Sequence, residues 1–356
     1  MNPNTDKQKK KHPLAKFLLV ILLLFLLLSL VMYGLVNSKL NLIQYDDGER
    51  EIDTETEYEI NNEEIAPNDL PNTSVDVDDG EGLHVIKDPD VFNILLLGTD
   101  ERTNKFNDNA RADSMMVCSL NTKLHTIKLV SIERGIGVPV PGRNDDWLTH
   151  TFRYGGAKLT MDTISEQFYL DLDHYVRVNF RIFEEGIDAL GGVDVELDAA
   201  EVEYLGEVQR AQGDWAIEPI HVGMNHLNGK WARALCQLRE IDSDWRRIER
   251  QRRVIQAALN QAKTLSLSQL NDVLNHMLPL VQTNLTKFEI ADLMLEVPGF
   301  IAEGLQIEDM TIPTRETCWN SVGVDGRKMI AVDFEANARI LQELFYGVKP
   351  EEDAAA

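Results

Sequence analysis

Between residues 92 and 135, three apolar runs of strand length each carry charged groups at one end. No other feature limits the fold of this chain as tightly. Asn93-Ile94-Leu95-Leu96-Leu97-Gly98 is followed by Asp100 and Arg102. Arg111 and Asp113 precede Met115-Met116-Val117-Cys118-Ser119-Leu120, and Thr126-Ile127-Lys128-Leu129-Val130-Ser131-Ile132 leads into Arg134. Two carboxylates and three guanidinium groups at neighbouring strand ends are a poor way to build a core, because unpaired buried charge is strongly penalised. They suit a metal with an anion. Hard oxygen ligands take Mg²⁺, usually with one or two protein carboxylates, and the planar guanidinium fork binds phosphate oxygens in pairs.

A second basic cluster follows at Arg239, Arg246, Arg247, Arg250, Arg252 and Arg253, with Gln251 among them. On a helix beginning near Trp245, the residues Arg247, Arg250 and Gln251 lie three and four apart and share a face. Ion pairs such as Glu249 with Arg246 would make this an ordinary solvated helix. The like charges at Arg247 and Arg250 instead repel unless an anion sits between them. Together the two clusters predict a diphosphate with Mg²⁺ at strand ends. No serine nucleophile elbow and no glycine-rich phosphate loop occur, and His150, His174, His221 and His226 lack metal-ligand spacing and are expected to be structural.

From residue 91 onward, strand and helix patterns alternate, which predicts an α/β fold with a central mixed sheet covered by helices on both faces. Gly155-Gly156 should break the chain before a helix burying Leu159, Ile164 and Phe168; strands are expected at 174–180, 193–197 and 306–312, and helices at 183–190 and 248–262. Ser268, Thr286 with Glu289, and Asp333 are expected helix caps, and Gly347 a helix end.

Ahead of the domain, lysines at positions 7, 9, 10, 11 and 16 precede a run from residue 17 to residue 36 that contains no charge. At about 1.5 Å per residue it is long enough to cross a hydrocarbon core of about 30 Å. The lysines place residues 1–16 in the cytosol and everything after residue 36 outside, on a single transmembrane helix. Residues 37–90 read as an acidic stalk, because residues 46–90 hold 17 Asp and Glu against Arg50 and Lys87 and offer little apolar surface. Residues 266–348 should pack on the domain of residues 91–265, with 349–356 as a disordered tail. The net charge of −24, without a basic stripe, excludes nucleic acid as a partner. Three cysteines, at 118, 236 and 318, are too few for a disulfide framework.

The segments Phe92-Asn93-Ile94-Leu95-Leu96-Leu97-Gly98-Thr99-Asp100, Arg111-Ala112-Asp113-Ser114-Met115-Met116 and Val130-Ser131-Ile132-Glu133-Arg134 resemble the opening of the LytR-CpsA-Psr catalytic domain. The resemblance continues through Tyr154-Gly155-Gly156, Asp173-His174-Tyr175-Val176-Arg177-Val178-Asn179-Phe180, Leu227-Asn228-Gly229 and Arg247-Ile248-Glu249-Arg250-Gln251. It covers residues 91–265 in order. What it implies is a membrane-anchored phosphotransferase outside the cytoplasm, moving glycopolymers such as teichoic acid or capsular polysaccharide from a polyprenyl-diphosphate carrier to peptidoglycan. Carried over, Asp100 and Asp113 hold Mg²⁺, while Arg111, Arg134, Arg239, Arg247 and Gln251 contact the diphosphate; Arg102, from the first charged cluster, is expected to join them, and Arg111, Asp113 and Arg134 are the expected catalytic group.

Gln237 stands where the family commonly has an arginine, with Arg233 nearby as a substitute, and Glu133, Gly135 and Thr149 also depart from the usual residues. Two rival readings use the same groups: a non-catalytic binder of lipid-linked glycan or wall-assembly partners, and an extracytoplasmic lipid pyrophosphatase with water as acceptor.

Overall fold

The computed structural model describes residues 37–57, 70, 80, 82–101, 106–107, 109–212, 219–238, 244–303 and 307–348. The apolar run at 17–36 and the terminal tail fall outside the described residues. Among the described residues no helix is long and apolar enough to cross a membrane. The chain divides into a unit ending at Leu42 and a unit beginning at Ile43.

In the second unit the elements follow as β1 (Gln44–Tyr45), β2 (Val91–Thr99), β3 (Ala112–Asn121), β4 (Thr126–Ile132), β5 (Gly137–Val138), β6 (Asp146–Trp147), α1 (Leu148–Phe168), β7 (His174–Asn179) and α2 (Phe180–Ala189). Then come β8 (Val193–Leu197), α3 (Ala199–Gln212), β9 (Gly223–Leu227), α4 (Gly229–Gln237), α5 (Asp244–Thr264), α6 (Leu267–Met277), β10 (Gln282–Thr283), α7 (Lys287–Ala302), β11 (Ile307–Ile312), β12 (Cys318–Val322), β13 (Lys328–Val332) and α8 (Phe334–Tyr346). The central sheet has seven strands in the order β1-β10-β7-β2-β3-β4-β11. It is mixed: β2 pairs antiparallel with β3 and parallel with β7, and β4 pairs parallel with β11 at the edge.

The three opening strands form an antiparallel meander, joined through residues 100–111 and 122–125, so their apolar residues meet in one core. Leu95, Leu97, Met115, Val117, Val130 and Ile132 are buried there with Phe152, Leu159, Ile164 and Phe168 of α1. A second core lies around β8 and β9, where Val193, Val195 and Leu227 pack with Leu205, Trp231, Leu235 and Val254 of α3, α4 and α5.

The acidic segment differs from the expected stalk over residues 43–57, which run along the domain. β1 pairs parallel with β10. Arg50 Nη2 donates to the carbonyls of Phe152 (2.5 Å) and Arg153 (2.6 Å), and Asp53 N–H donates to the Tyr154 carbonyl at 2.8 Å. Lys158 N–H donates to the Gly48 carbonyl at 3.1 Å. Backbone pairing of this kind depends little on side-chain hydrophobicity, so an acidic sequence supports it. The segment crosses α1 at Gly155 and Gly156, whose backbone is non-helical inside that helix, with Gly156 at φ +70°. A Cβ on Gly156 would lie 3.1 Å from the Gly48 carbonyl oxygen. Further along, Leu70 is buried in the main core and its carbonyl accepts from Asn320 Nδ2 at 2.9 Å.

Caps at Thr286 and Asp333 and the left-handed Gly347 stand as the sequence predicts. The cap of α6 is Ser266, in a capping box with Gln269, and not Ser268, which lies inside the helix. Ser266 carries the Gln three residues on that the box requires.

Candidate functional site

The β2–β3 pairing runs in register up to Gly98 opposite Ser114 and resumes with Thr99 opposite Ala112. Asp113 is therefore the extra residue of a β-bulge, which turns its carboxylate out of the ladder at the rim of the sheet. Arg134, directly after β4, donates from Nη1 to Asp113 Oδ1 at 2.9 Å. Arg134 is 1% exposed and the Asp113 side chain 15%. Just across, Asp100 accepts from the Arg111 backbone N–H (3.0 Å) and from its Nε (3.1 Å), closing the 100–111 connection at its base.

α5 supplies the opposite wall. Gln251 Oε1 accepts from Ser114 Oγ at 3.2 Å, which docks the helix against the residue next to Asp113. Burial pushes the Asp113 carboxyl up, but the charges of Arg134, Arg247 and Arg111, with the Arg134 hydrogen bond, outweigh it and hold the group below the usual carboxylate range. Asp113 is thus an ionised group held by its bond to Arg134 and by the positive charges of Arg247 and Arg111. Counting Asp100, the described cluster keeps one excess positive charge, which favours an anion.

Asp100, Arg111, Asp113, Arg134, Arg247 and Gln251 are accordingly brought to one end of the sheet. Arg102 and Arg239 lie outside the described residues. Two readings of the arginine clusters change. Arg250 does not share an anion with Arg247; its Nε donates to Glu201 at 2.8 Å and its Nη1 to the Leu238 carbonyl at 3.1 Å, as a buried structural pair. Arg233 does not stand in for Gln237, since its Nε is committed to Glu184 at 2.9 Å and its Nη1 to Gln237 Oε1 at 3.4 Å. Helical spacing groups residues by face and does not reveal that α3 and α2 carry partner carboxylates.

Two supports went unread in the sequence. Thr149 Oγ1 donates to the Ala112 carbonyl (2.8 Å) and its N–H to the Arg134 carbonyl (3.1 Å), tying both strand ends to the start of α1. Arg177, a charge within the strand alternation of β7, donates to Thr99 Oγ1 at 3.2 Å, to the Asn107 carbonyl at 3.0 Å and to Glu101. It also stacks over Phe106 and Phe152, 4.4 Å and 4.5 Å from the ring centres. A buried charge in an otherwise alternating strand is the signal that points to such a hub.

Among the described residues no group of three or more His, Cys, Asp or Glu is placed to hold a metal. All three cysteines are free. A groove of about 370 Å³ between α5 and β4, β8 and β11 is lined by Glu249, Arg252 and Asp309 and includes none of the predicted site residues.

A mixed α/β sheet with arginines and the ionised Asp113 converging on its rim defines an α/β protein with an anion-attracting site at one sheet end. The chain belongs to the LytR_cpsA_psr family, whose model matches residues 50–348. It is similar to the polyisoprenyl-teichoic acid--peptidoglycan teichoic acid transferase TagU of Oceanobacillus iheyensis, 35% identical over 60% of this chain and 65% of that protein. It is also similar to TagT of Bacillus subtilis, which carries the same transferase name, at 34% identity over 50% of this chain and 54% of that one. The match thus spans less than two thirds of the length of these relatives. A solved structure described as TagT bound to LIIa-WTA superposes with a TM-score of 0.58 at 26% identity, covering 78% of this chain and all of that one.

Proposed function

We propose that this protein transfers a glycopolymer phosphate from a polyprenyl-diphosphate carrier to peptidoglycan, at the outer face of a membrane to which residues 17–36 anchor it. The observation that carries this reading is Asp113, kept ionised on a bulge between Arg111, Arg134 and Arg247. Membership of the family and the names of TagU and TagT support the choice of carrier and acceptor.

Phosphoryl transfer asks mostly for positioning and for neutralisation of oxygens. Arg111, Arg134 and Arg247 hold the diphosphate oxygens, with Arg102 and Arg239 adding to them, and Gln251 fixes α5 against β3. A sugar hydroxyl of peptidoglycan attacks the phosphorus attached to the glycan. A new P–O bond forms, the bond to the bridging oxygen breaks, polyprenyl phosphate leaves, and the hydroxyl proton passes to a base. The residues fit Mg²⁺: Asp113 uses Oδ1 for Arg134 and, among the described residues, accepts no hydrogen bond on Oδ2, and one or two protein carboxylates with substrate phosphates are its usual donor set. Asp100 and Asp113 would hold it, and it would neutralise charge on the diphosphate.

The test is incubation of the full chain with Mg²⁺, a lipid-diphosphate glycan and peptidoglycan oligomers. Glycan joined to peptidoglycan is the expected product. Free glycan phosphate would make the protein a pyrophosphatase, and tight binding without turnover would make it a binding module.

A further inference from the structure

Arg177 holds both chain neighbours of a site carboxylate. Asp100 stands between Thr99 and Glu101; Arg177 donates from Nε to Thr99 Oγ1 at 3.2 Å and from Nη2 to Glu101. The same Nη2 donates to the Asn107 carbonyl at 3.0 Å, and Glu101 accepts the Asn107 N–H at 3.1 Å. Two points of the 100–111 connection are therefore tied to one guanidinium group, buried and lying over the Phe106 ring. Thr99 and Glu101 turn to Arg177 while Asp100 turns to Arg111, whose N–H it accepts at 3.0 Å, as the alternation of an extended chain requires.

The same guanidinium group reaches back to the segment of residues 43–57. On β10, Gln282 is the cross-strand partner of Arg177. Its Oε1 accepts from Arg177 Nη1 at 2.9 Å and its Nε2 donates to Asp46 Oδ2 at 2.7 Å. A guanidinium only donates and a carboxylate only accepts, so one orientation of the Gln282 amide satisfies both neighbours. Asp46 Oδ1 is taken by the Gly48 N–H at 3.0 Å. An asparagine at position 46 has one acceptor oxygen, so either the Gly48 N–H or the Gln282 amide would lose its partner there. A buried pair of Arg177 with Glu101 would serve a core equally well and is by itself weak evidence of function. A core pair does not explain why the guanidinium spans the two sides of Asp100 and continues through Gln282 to Asp46.

We propose that Arg177 is a positioning residue for Asp100, and that Asp46, through Gln282, fixes Arg177 from the segment of residues 43–57. The effect on turnover rests on the transfer reaction proposed above; the effect on Asp100 does not.

The test uses the full chain in detergent as Arg177→Lys, Asp46→Asn and, for a core change away from these groups, Ile164→Val, which is buried under α1. Lysine keeps the charge facing Glu101 and cannot reach the separate acceptors that the fork holds. The Arg111 amide, bonded to Asp100, reports the placement of that carboxylate by deuterium exchange resolved with electron-transfer fragmentation. Its exchange is expected to be about tenfold faster in Arg177→Lys and Asp46→Asn, the weight of one lost hydrogen bond, and unchanged in Ile164→Val. Turnover at saturating lipid-diphosphate glycan is expected to fall by about 10- to 100-fold in Arg177→Lys with KM little changed. Arg111 exchange in both variants equal to that of Ile164→Val would make Arg177 with Glu101 a core pair and overturn the proposal. Faster exchange in Arg177→Lys alone overturns the part given to Asp46. If Arg177→Lys does not fold, Asp46→Asn decides, since the Asp46 N–H keeps its bond to the Thr283 carbonyl at 2.9 Å. A parent chain that transfers nothing refutes the reaction, while faster Arg111 exchange in the two variants still supports the positioning.

Discussion

At the scale of residues, the site depends on a carboxylate that is costly to bury and is retained through its partners. Replacing Asp113 by Asn keeps the shape, removes the charge that orders Arg134 and would hold Mg²⁺, and is expected to lower transfer on the order of 10²–10³-fold, the usual size of losing one preorganised electrostatic group. Steady-state turnover at saturating substrate checks this, and unchanged turnover would sink the assignment. Stability carries the same signature. Because the folded Asp113 titrates below its unfolded value of about 3.9, its contribution is fully present above that value and is lost as the pH falls through the depressed folded value. Urea midpoints measured from pH 6 downward should therefore fall less steeply for Asp113→Asn than for the parent. At Gln237 the departure from the family leaves a place for one more cation. Gln237→Arg is expected to tighten binding of a lipid diphosphate several-fold, read by calorimetry, and no change would mean that another cation already fills the role.

At the scale of elements, the segment of residues 43–57 is held by backbone hydrogen bonds across a helix break. Gly156→Ala adds a Cβ at 3.1 Å from the Gly48 oxygen in a left-handed backbone and should cost about 1–3 kcal/mol, measured by urea unfolding. Faster proteolysis within 43–57 should accompany it; an unchanged midpoint would show that the strap is not clamped there. What the sequence disclosed at this level follows the same physics. β2, β3 and β4 were legible because long apolar runs must pair and bury, and α7 and α8 because Thr286, Asp333 and Gly347 cap them. β1, β5, β6 and β10 have two residues each, too few to carry a period, and exist only through partners distant in sequence. The same reason hid part of the site. Arg111, Asp113 and Arg134 are legible as charges at strand ends, whereas Arg250 looked equivalent to Arg247 until Glu201 of α3 was placed beside it.

At the scale of the whole molecule, the sheet gathers the arginines and the ionised Asp113 at one rim, where the ends of β2 and β4 meet the start of β3. The proposed reaction turns on which phosphorus is carried over. A carrier lipid-diphosphate glycan labelled separately at each phosphorus, incubated with the full chain, Mg²⁺ and peptidoglycan, answers this directly. Label on the phosphorus next to the glycan is predicted to appear in peptidoglycan, and label on the other in polyprenyl phosphate. Recovery of the glycan-side phosphorus in a water-soluble glycan phosphate, with none in peptidoglycan, would contradict it.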